Sequence, residues 1–222
     1  MSARLCAVCV GRTEPRGTDG AADPFDRPWE SAIWKNPVAG AVGVDTLGLD
    51  GDAQADPRVH GGPEKAVLAY ATRHYTETWR PHLAADMLRP GAFGENLAVD
   101  GLDEATVAIG DVFAIGSARL QVSQPRGPCW KLVRKFRRPD LFDPVIGNGC
   151  TGWYLGVLED GLLEAGQPIV LVDRPHPRLT VAATNGVLHR RPLDRAVTAE
   201  LAACALLAPN MRRQIAGKLS DS

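Results

Sequence analysis

Apolar and polar positions alternate in short runs along most of this chain, and glycine and proline punctuate the runs. Residues 3–10 (ARLCAVCV) alternate loosely and include β-branched Val8 and Val10, which predicts a first strand. Residues 17–37 are rich in Gly, Pro, Asp and Ala without periodicity, so they predict a long loop. Strands are expected at residues 39–47 (AGAVGVDTL) and 66–71 (AVLAYA), followed by a short helix over 73–83 that breaks near Pro81. A Gly-rich turn at 90–99 (PGAFGENLAV) carries Glu95 and Asn96 into another strand. Residues 109–122 (IGDVFAIGSARLQV) form two alternating runs around Gly116-Ser117, a hairpin signal. A short basic helix is expected after Cys129, then an irregular stretch over 140–150. Residues 152–158 and 168–173 predict a closing pair of strands around a turn at 159–161.

Many short strands with brief helices between them predict a mainly β fold, a closed β-barrel-like domain over residues 1–176. Beyond Arg174-Pro175-His176-Pro177 the pattern changes to helical runs at 179–190, 193–207 and 210–219, separated by Pro192 and Pro209. Each run is too short to be stable alone in water. They are therefore expected to pack on one another as a small three-helix appendage over 177–222.

Composition narrows the class. The chain has 222 residues, 45% of them hydrophobic and 23% charged, as in a soluble globular protein. A net charge of -1 argues against bulk binding to nucleic acid or membrane. No apolar run approaches the roughly 20 residues that span a bilayer, and the N-terminus does not read as a signal peptide. Five scattered cysteines point to a reducing compartment, hence the cytoplasm. Cys6-x-x-Cys9 lies on a strand, where residues three apart face opposite sides, and no second pair at zinc spacing follows.

Cys129 carries the candidate chemistry. It leaves QVSQPRGPCWKL, a stretch stiffened by Pro125 and Pro128, and from Arg126 to Arg138 there are six cations and no acid. A thiol in that setting is biased towards thiolate. A cysteine nucleophile would need a partner histidine, and none of the five has a recognisable flanking signature. A zinc site would need clustered ligands. A soft metal whose other ligands come from an organic cofactor needs one thiolate, with cations and Gly-rich amides to hold its phosphate. His60-Gly61-Gly62-Pro63 is a turn able to present amides, with His60 as a candidate ligand or proton donor.

SQPRGPCWKL, together with VHGGPEKAVLAY, FGENL, the IGD of 109–111 and TGWYLGVLEDG in that order, resembles the MOSC domain family, in particular its stand-alone bacterial YiiM-like branch. The tail resembles the three-helix domain of that branch. The resemblance implies a barrel that binds molybdenum cofactor (Mo-molybdopterin), with Cys129 ligating the metal. It implies reduction of N-hydroxylated compounds, such as 6-hydroxylaminopurine or amidoximes, with electrons from a separate flavin or iron–sulfur reductase. Under it, Arg126, Lys131 and Lys65 or Lys35 neutralise the cofactor phosphate. Asn96, the amides around Gly61, Gly62 and Gly94, and Ser123 and Gln124 of the motif would line the cofactor site, and Glu95 or His60 would supply a proton. The alternative is a non-catalytic carrier of cofactor or sulfur using Cys129. A third reading has the basic helix contact a redox partner. No stable nucleic-acid or membrane partner is expected, and a homodimer is left open.

Overall fold

The computed structural model describes residues 2–127, 129–189 and 193–220; the side chains of Phe142 and Ile146 lie outside it, as do the expected break at Pro192 and the ring of Pro128. The first six strands are β1 (Arg4–Val10), β2 (Glu14–Arg16), β3 (Trp29–Ser31), β4 (Asn36–Pro37), β5 (Val42–Asp45) and β6 (Gly48–Leu49). A short helix α1 (Pro57–His60) precedes β7 (Val67–Ala71), α2 (Arg73–Glu77) and β8 (Leu97–Asp100). The hairpin expected around Gly116-Ser117 is β9 (Val112–Ile115) with β10 (Ala118–Pro125), and the basic helix is α3 (Trp130–Phe136). Then come α4 (Phe142–Asn148), β11 (Trp153–Glu159), β12 (Gly161–Leu163) and β13 (Ile169–Asp173). The tail holds α5 (Val181–His189), α6 (Arg195–Ala203) and α7 (Pro209–Ser220).

The expected mainly β closed barrel is not what forms. The main sheet is eight-stranded and mixed, in the order β13-β9-β10-β11-β7-β8-β1-β4, with β13 and β4 as its ends. About 30% of the chain is helical and 28% is strand. β1 meets the approach to β13 through an isolated bridge, Arg4 to Pro168, and a few backbone bonds such as Ile169 N to Ala3 O at 3.0 Å. The strands at 152–158 and 168–173 also do not pair with each other: β11 lies between β10 and β7, while β13 pairs with β9. β7 and β8 run parallel, so the chain must cross over between them, which it does through α2 and the turns that follow. All five residues of β7 are buried, as befits a strand covered on both faces.

Two large apolar clusters result, with a third small one of Ala7, Cys9 and Ala98. The larger joins the sheet interior (Leu5, Leu97, Ile109, Leu120, Trp153) to the tail (Leu201, Leu207, Ile215). The three tail helices thus share the sheet's core, and Ile109 N donates to Leu179 O at 2.8 Å. The smaller of the two is aromatic and packs Tyr70, Tyr75, Trp79, Phe93 and Phe136 with Leu132 of α3. Residues 17–37, expected as a loop, contain the β2–β3 pair and a 3-10 turn at Pro24–Asp26.

The basic helix spends its charge on that segment. Arg134 Nε donates to Phe25 O at 3.1 Å, and its guanidinium lies over the Trp29 ring at 4.9 Å. Arg137 pairs with Asp23 at 2.6 Å and with Asp26 at 2.5 Å. Lys135 Nζ donates to Ile33 O at 3.0 Å and Ala92 O at 2.6 Å. Residues 23–33 are thereby laid against α3, beside the cysteine that precedes it.

Candidate functional site

β10 is the strand that delivers the motif. Arg126 N donates to Gly152 O at 3.0 Å just beyond its last residue, and the chain then turns to Cys129. Cys129 is the extended residue before α3 (φ -128°, ψ 126°), with its carbonyl accepting from Leu132 N at 3.0 Å. The half-buried thiol opens onto a cleft with about 560 Å³ of empty space. On its other side it abuts an apolar slot lined by Trp79, Phe93, Leu132 and Phe136.

The cleft gathers residues from distant parts of the chain. Lys35, His60, Lys65, Arg126 and Lys131 all line it with Cys129. Lys65 Nζ is anchored on Val59 O at 2.7 Å. Arg126 is only 7% exposed, yet among the described residues no carboxylate forms an ion pair with Arg126, Lys65 or Lys131. His60 feels this excess. Burial first, then the charges of Lys131, Arg126 and Lys65, lower its pKa to about 4 against the opposing pull of Asp56. His60 is therefore a neutral imidazole near neutral pH.

Lys35 is compensated. Its ammonium pairs with Asp52, whose Oδ1 also accepts from Gly11 N at 2.9 Å and whose Oδ2 accepts from Asn96 Nδ2 at 2.8 Å. Burial lowers the Lys35 pKa, and Asp52 acts against that. Asn96 lines the cleft with its amide fully engaged: Nδ2 also donates to Cys9 O at 3.2 Å and Oδ1 accepts from Leu68 N at 3.1 Å.

Other expected site residues serve the frame. Gly94 lines the cleft at φ +80°, with its amide donating to Gly91 O at 3.2 Å, and a Cβ there would come within 2.8 Å of Ile33. Gly61 and Gly62 are outside the lining; they turn the chain between His60 and Lys65, and Gly62 has φ +100°. Ser123 Oγ is shared between the carbonyls of Glu64 and Tyr154, and Gln124 is buried with Nε2 3.4 Å from Pro125 O. Glu95 is fully buried behind the cleft, where its carboxyl accepts from Tyr75 OH, Gly91 N at 2.6 Å and Phe93 N at 2.9 Å. No cleft contact reaches it. Asp52, Gln54 and the 31–33 segment line the cleft without having been marked by any motif, and Tyr154 of the TGWYLGVLEDG motif lines it without having been singled out.

A model of the MOSC domain matches residues 56–170, and a model described as YiiM-like, 3-alpha helix domain matches residues 179–221. The chain belongs to the MOSC domain family. This MOSC protein is 38% identical over 207 residues to Protein YiiM of Escherichia coli, covering 90% of the chain and 91% of that protein. It superposes on the crystal structure of YiiM from Geobacillus stearothermophilus with a TM-score of 0.79 at 31% identity, over 98% of this chain and 99% of that one. A protein of Gibberella moniliformis named Reductase is 36% identical over 173 residues; the match covers 77% of this chain and 30% of that longer protein.

Proposed function

We propose that this protein is an oxidoreductase that holds molybdenum cofactor in the Cys129 cleft and removes oxygen from N-hydroxylated compounds, such as hydroxylaminopurines or amidoximes, to give the amine. The observation that carries this reading is the convergence of Lys65, Arg126 and Lys131 on Cys129 without an ion-paired carboxylate among the described residues. A buried guanidinium without a counter-ion is costly, so the cleft is built to receive an anion. Among the described residues no group of three His, Cys, Asp or Glu side chains could hold a metal, so a metal at Cys129 would draw its other donors from a bound organic group. The Cys129 sulfur, the cations and the open cleft together fit a phosphate-bearing metal cofactor.

When bound, that cofactor supplies a metal centre able to exchange two electrons with substrate. The chain's own residues bind and orient. Arg126 presents a planar fork to phosphate oxygens, with Lys65 and Lys131 as point charges beside it. Asp52, Lys35 and Asn96 form a fixed, hydrogen-bonded part of the same cleft's lining. Of the two proton-donor candidates, His60 is the one that lines the cleft, and near neutral pH its neutral ring can donate a hydrogen bond; it would give up a proton only if a bound anion raised its pKa. Electrons would come from a separate flavin or iron–sulfur reductase, and the Gibberella relative named Reductase, matched over 30% of its length, supports a reductase over a carrier. No helix of the described residues is long and apolar enough to cross a membrane. Placement in the cytoplasm is part of the proposal and rests on the five free cysteines.

The test is purification from cells that make the cofactor, elemental analysis for molybdenum, and turnover of an N-hydroxy substrate with an artificial electron donor. We expect stoichiometric metal in the native protein and loss of both metal and turnover in Cys129→Ala. Native protein without molybdenum, or a Cys129→Ala variant that keeps metal and activity, overturns the reading. Cofactor release to an apo-enzyme without turnover identifies a carrier instead.

A further inference from the structure

A second thiol lies outside the cleft in a setting of its own. The turn between α4 and β11 brings Cys150 against α2, where His74 is 5% exposed. His74 Nε2 lies 2.7 Å from Glu104 Oε2, and Glu104 Oε1 accepts from Gly152 N at 2.7 Å, so the carboxylate is fixed from two sides. The other ring nitrogen, Nδ1, lies 3.4 Å from Thr78 Oγ1, which is 3.7 Å from Cys150 Sγ. The Thr78 hydroxyl bridges the Cys150 sulfur and the His74 ring. Thiol, imidazole and carboxylate thus stand in the order of nucleophile, proton carrier and orienting group.

The turn is pinned on every side. Cys150 N donates to Asn148 Oδ1 at 2.9 Å, and Cys150 O accepts from Tyr70 OH at 3.3 Å. From the tail, Asn185 Nδ2 donates to Gly149 O at 3.1 Å and to Thr151 Oγ1 at 3.2 Å. Asn185 is 5% exposed, and its Oδ1 is the buried side-chain atom left without a partner among the described residues. An open acceptor on the side chain that holds the residues flanking Cys150 marks a place for a group that donates a hydrogen bond. The other thiols outside the cleft lack these features: Cys9 and Cys204 are buried, and the exposed Cys6 is pushed up in pKa by partial burial and by Asp100.

We propose that Cys150, His74 and Glu104 form a reactive thiol site that is oxidised by hydroperoxides, separate from the Cys129 cleft and independent of any cofactor. An electron pair of the Cys150 sulfur forms an S–O bond with one peroxide oxygen as the O–O bond breaks. Sulfur is oxidised to the sulfenic acid and the peroxide is reduced to water or an alcohol. His74 protonates the departing oxygen and is replenished by the thiol proton, so charge and atoms balance. His74 is suited to this: burial lowers its pKa, but the nearby Cys150 sulfur and the Glu104 carboxylate, which takes a hydrogen bond from its ring, outweigh burial and hold it at about 9. Glu104, held by Gly152 N, keeps the ring turned towards the sulfur.

The full chain is treated with limiting hydrogen peroxide, the sulfenic acid is trapped with dimedone, and each cysteine is followed separately by peptide mass spectrometry. Trapping at Cys150 should outpace trapping at the more exposed Cys6 at least about ten-fold, and His74→Gln should erase that advantage. Equal rates at Cys150 and Cys6 in the native protein overturn the proposal, and this comparison needs no variant to fold. An unchanged Cys150 rate in a His74→Gln protein with native circular dichroism overturns it as well.

Discussion

The Nδ2 of Asn96 donates to Asp52 Oδ2 at 2.8 Å, while the other oxygen of Asp52 takes the Lys35 ammonium. One carboxylate therefore ties β1, through Gly11 N, to the residue that enters β8 and to the cation before β4. Both members of the ion pair are 7% exposed, so removing one strands the other as a buried charge. Asp52→Ala should cost about 3 kcal/mol in denaturant unfolding, near the range for breaking a buried pair. The double variant Asp52→Leu/Lys35→Met should recover much of that loss, because no unpaired charge is left. A double variant as unstable as the single one would show that the pair acts through packing alone.

The depressed pKa of His60 is a gauge of the cleft's charge. The group titrates near 4 because burial and the Lys131, Arg126 and Lys65 charges all oppose its proton. An anion bound among those cations removes most of the repulsion. Inorganic phosphate should therefore raise the His60 pKa by about one unit, read from its imidazole resonances in a proton NMR titration. Lys131→Ala should move it the same way without phosphate. A His60 pKa indifferent to both would mean that the cations do not act together on this cleft.

What the chain's pattern made legible was local. The hairpin at Gly116-Ser117, the helix after Cys129 and the cluster of His60 and Lys65 near one turn follow from neighbouring residues, and all are present. Sheet closure was not legible, because the pairing of β13 with β9 rather than β11 is decided by contacts more than fifty residues apart. The helix α4 was missed because seven residues containing Pro144 and Gly147 show no helical period. Ser123 and Gln124 fall outside the cleft lining for a different reason. The register of β10 against β11 shifts between Val122 and Gln124, so alternation ends there and residues 122–126 are buried in succession. Asp52 sits in an acidic turn like many others, and only packing against Lys35 and Gly11 gives it a role.

His74 links stability to pH. Its folded pKa of about 9 lies above the ordinary 6.5, so its contribution is complete below pH 6.5 and is lost as pH rises through 9. A shift of that size is on the order of 3 kcal/mol. Unfolding by urea should show stability falling between pH 6.5 and 9.5, and His74→Gln should flatten that slope. A slope that persists in the variant would assign the linkage to another group.

Glu95 is where a role in the frame can be told from a role in proton transfer. Its Oε1 accepts from Gly91 N at 2.6 Å and from Tyr75 OH, and its Oε2 accepts from Phe93 N at 2.9 Å. Burial raises its pKa, with those hydrogen bonds opposing the rise. In Glu95→Gln one acceptor becomes an amino group, so a donor must face Gly91 N–H or Phe93 N–H. An unmet buried donor costs about 1–3 kcal/mol, and the turn that presents Gly94 to the cleft should loosen. The expected result is a lower urea midpoint with turnover of the proposed reaction, per folded molecule, close to native, since the carboxyl is buried and does not line the cleft. A variant of native stability with turnover reduced a hundred-fold would instead make Glu95 the acid and require the 91–95 turn to open during the reaction.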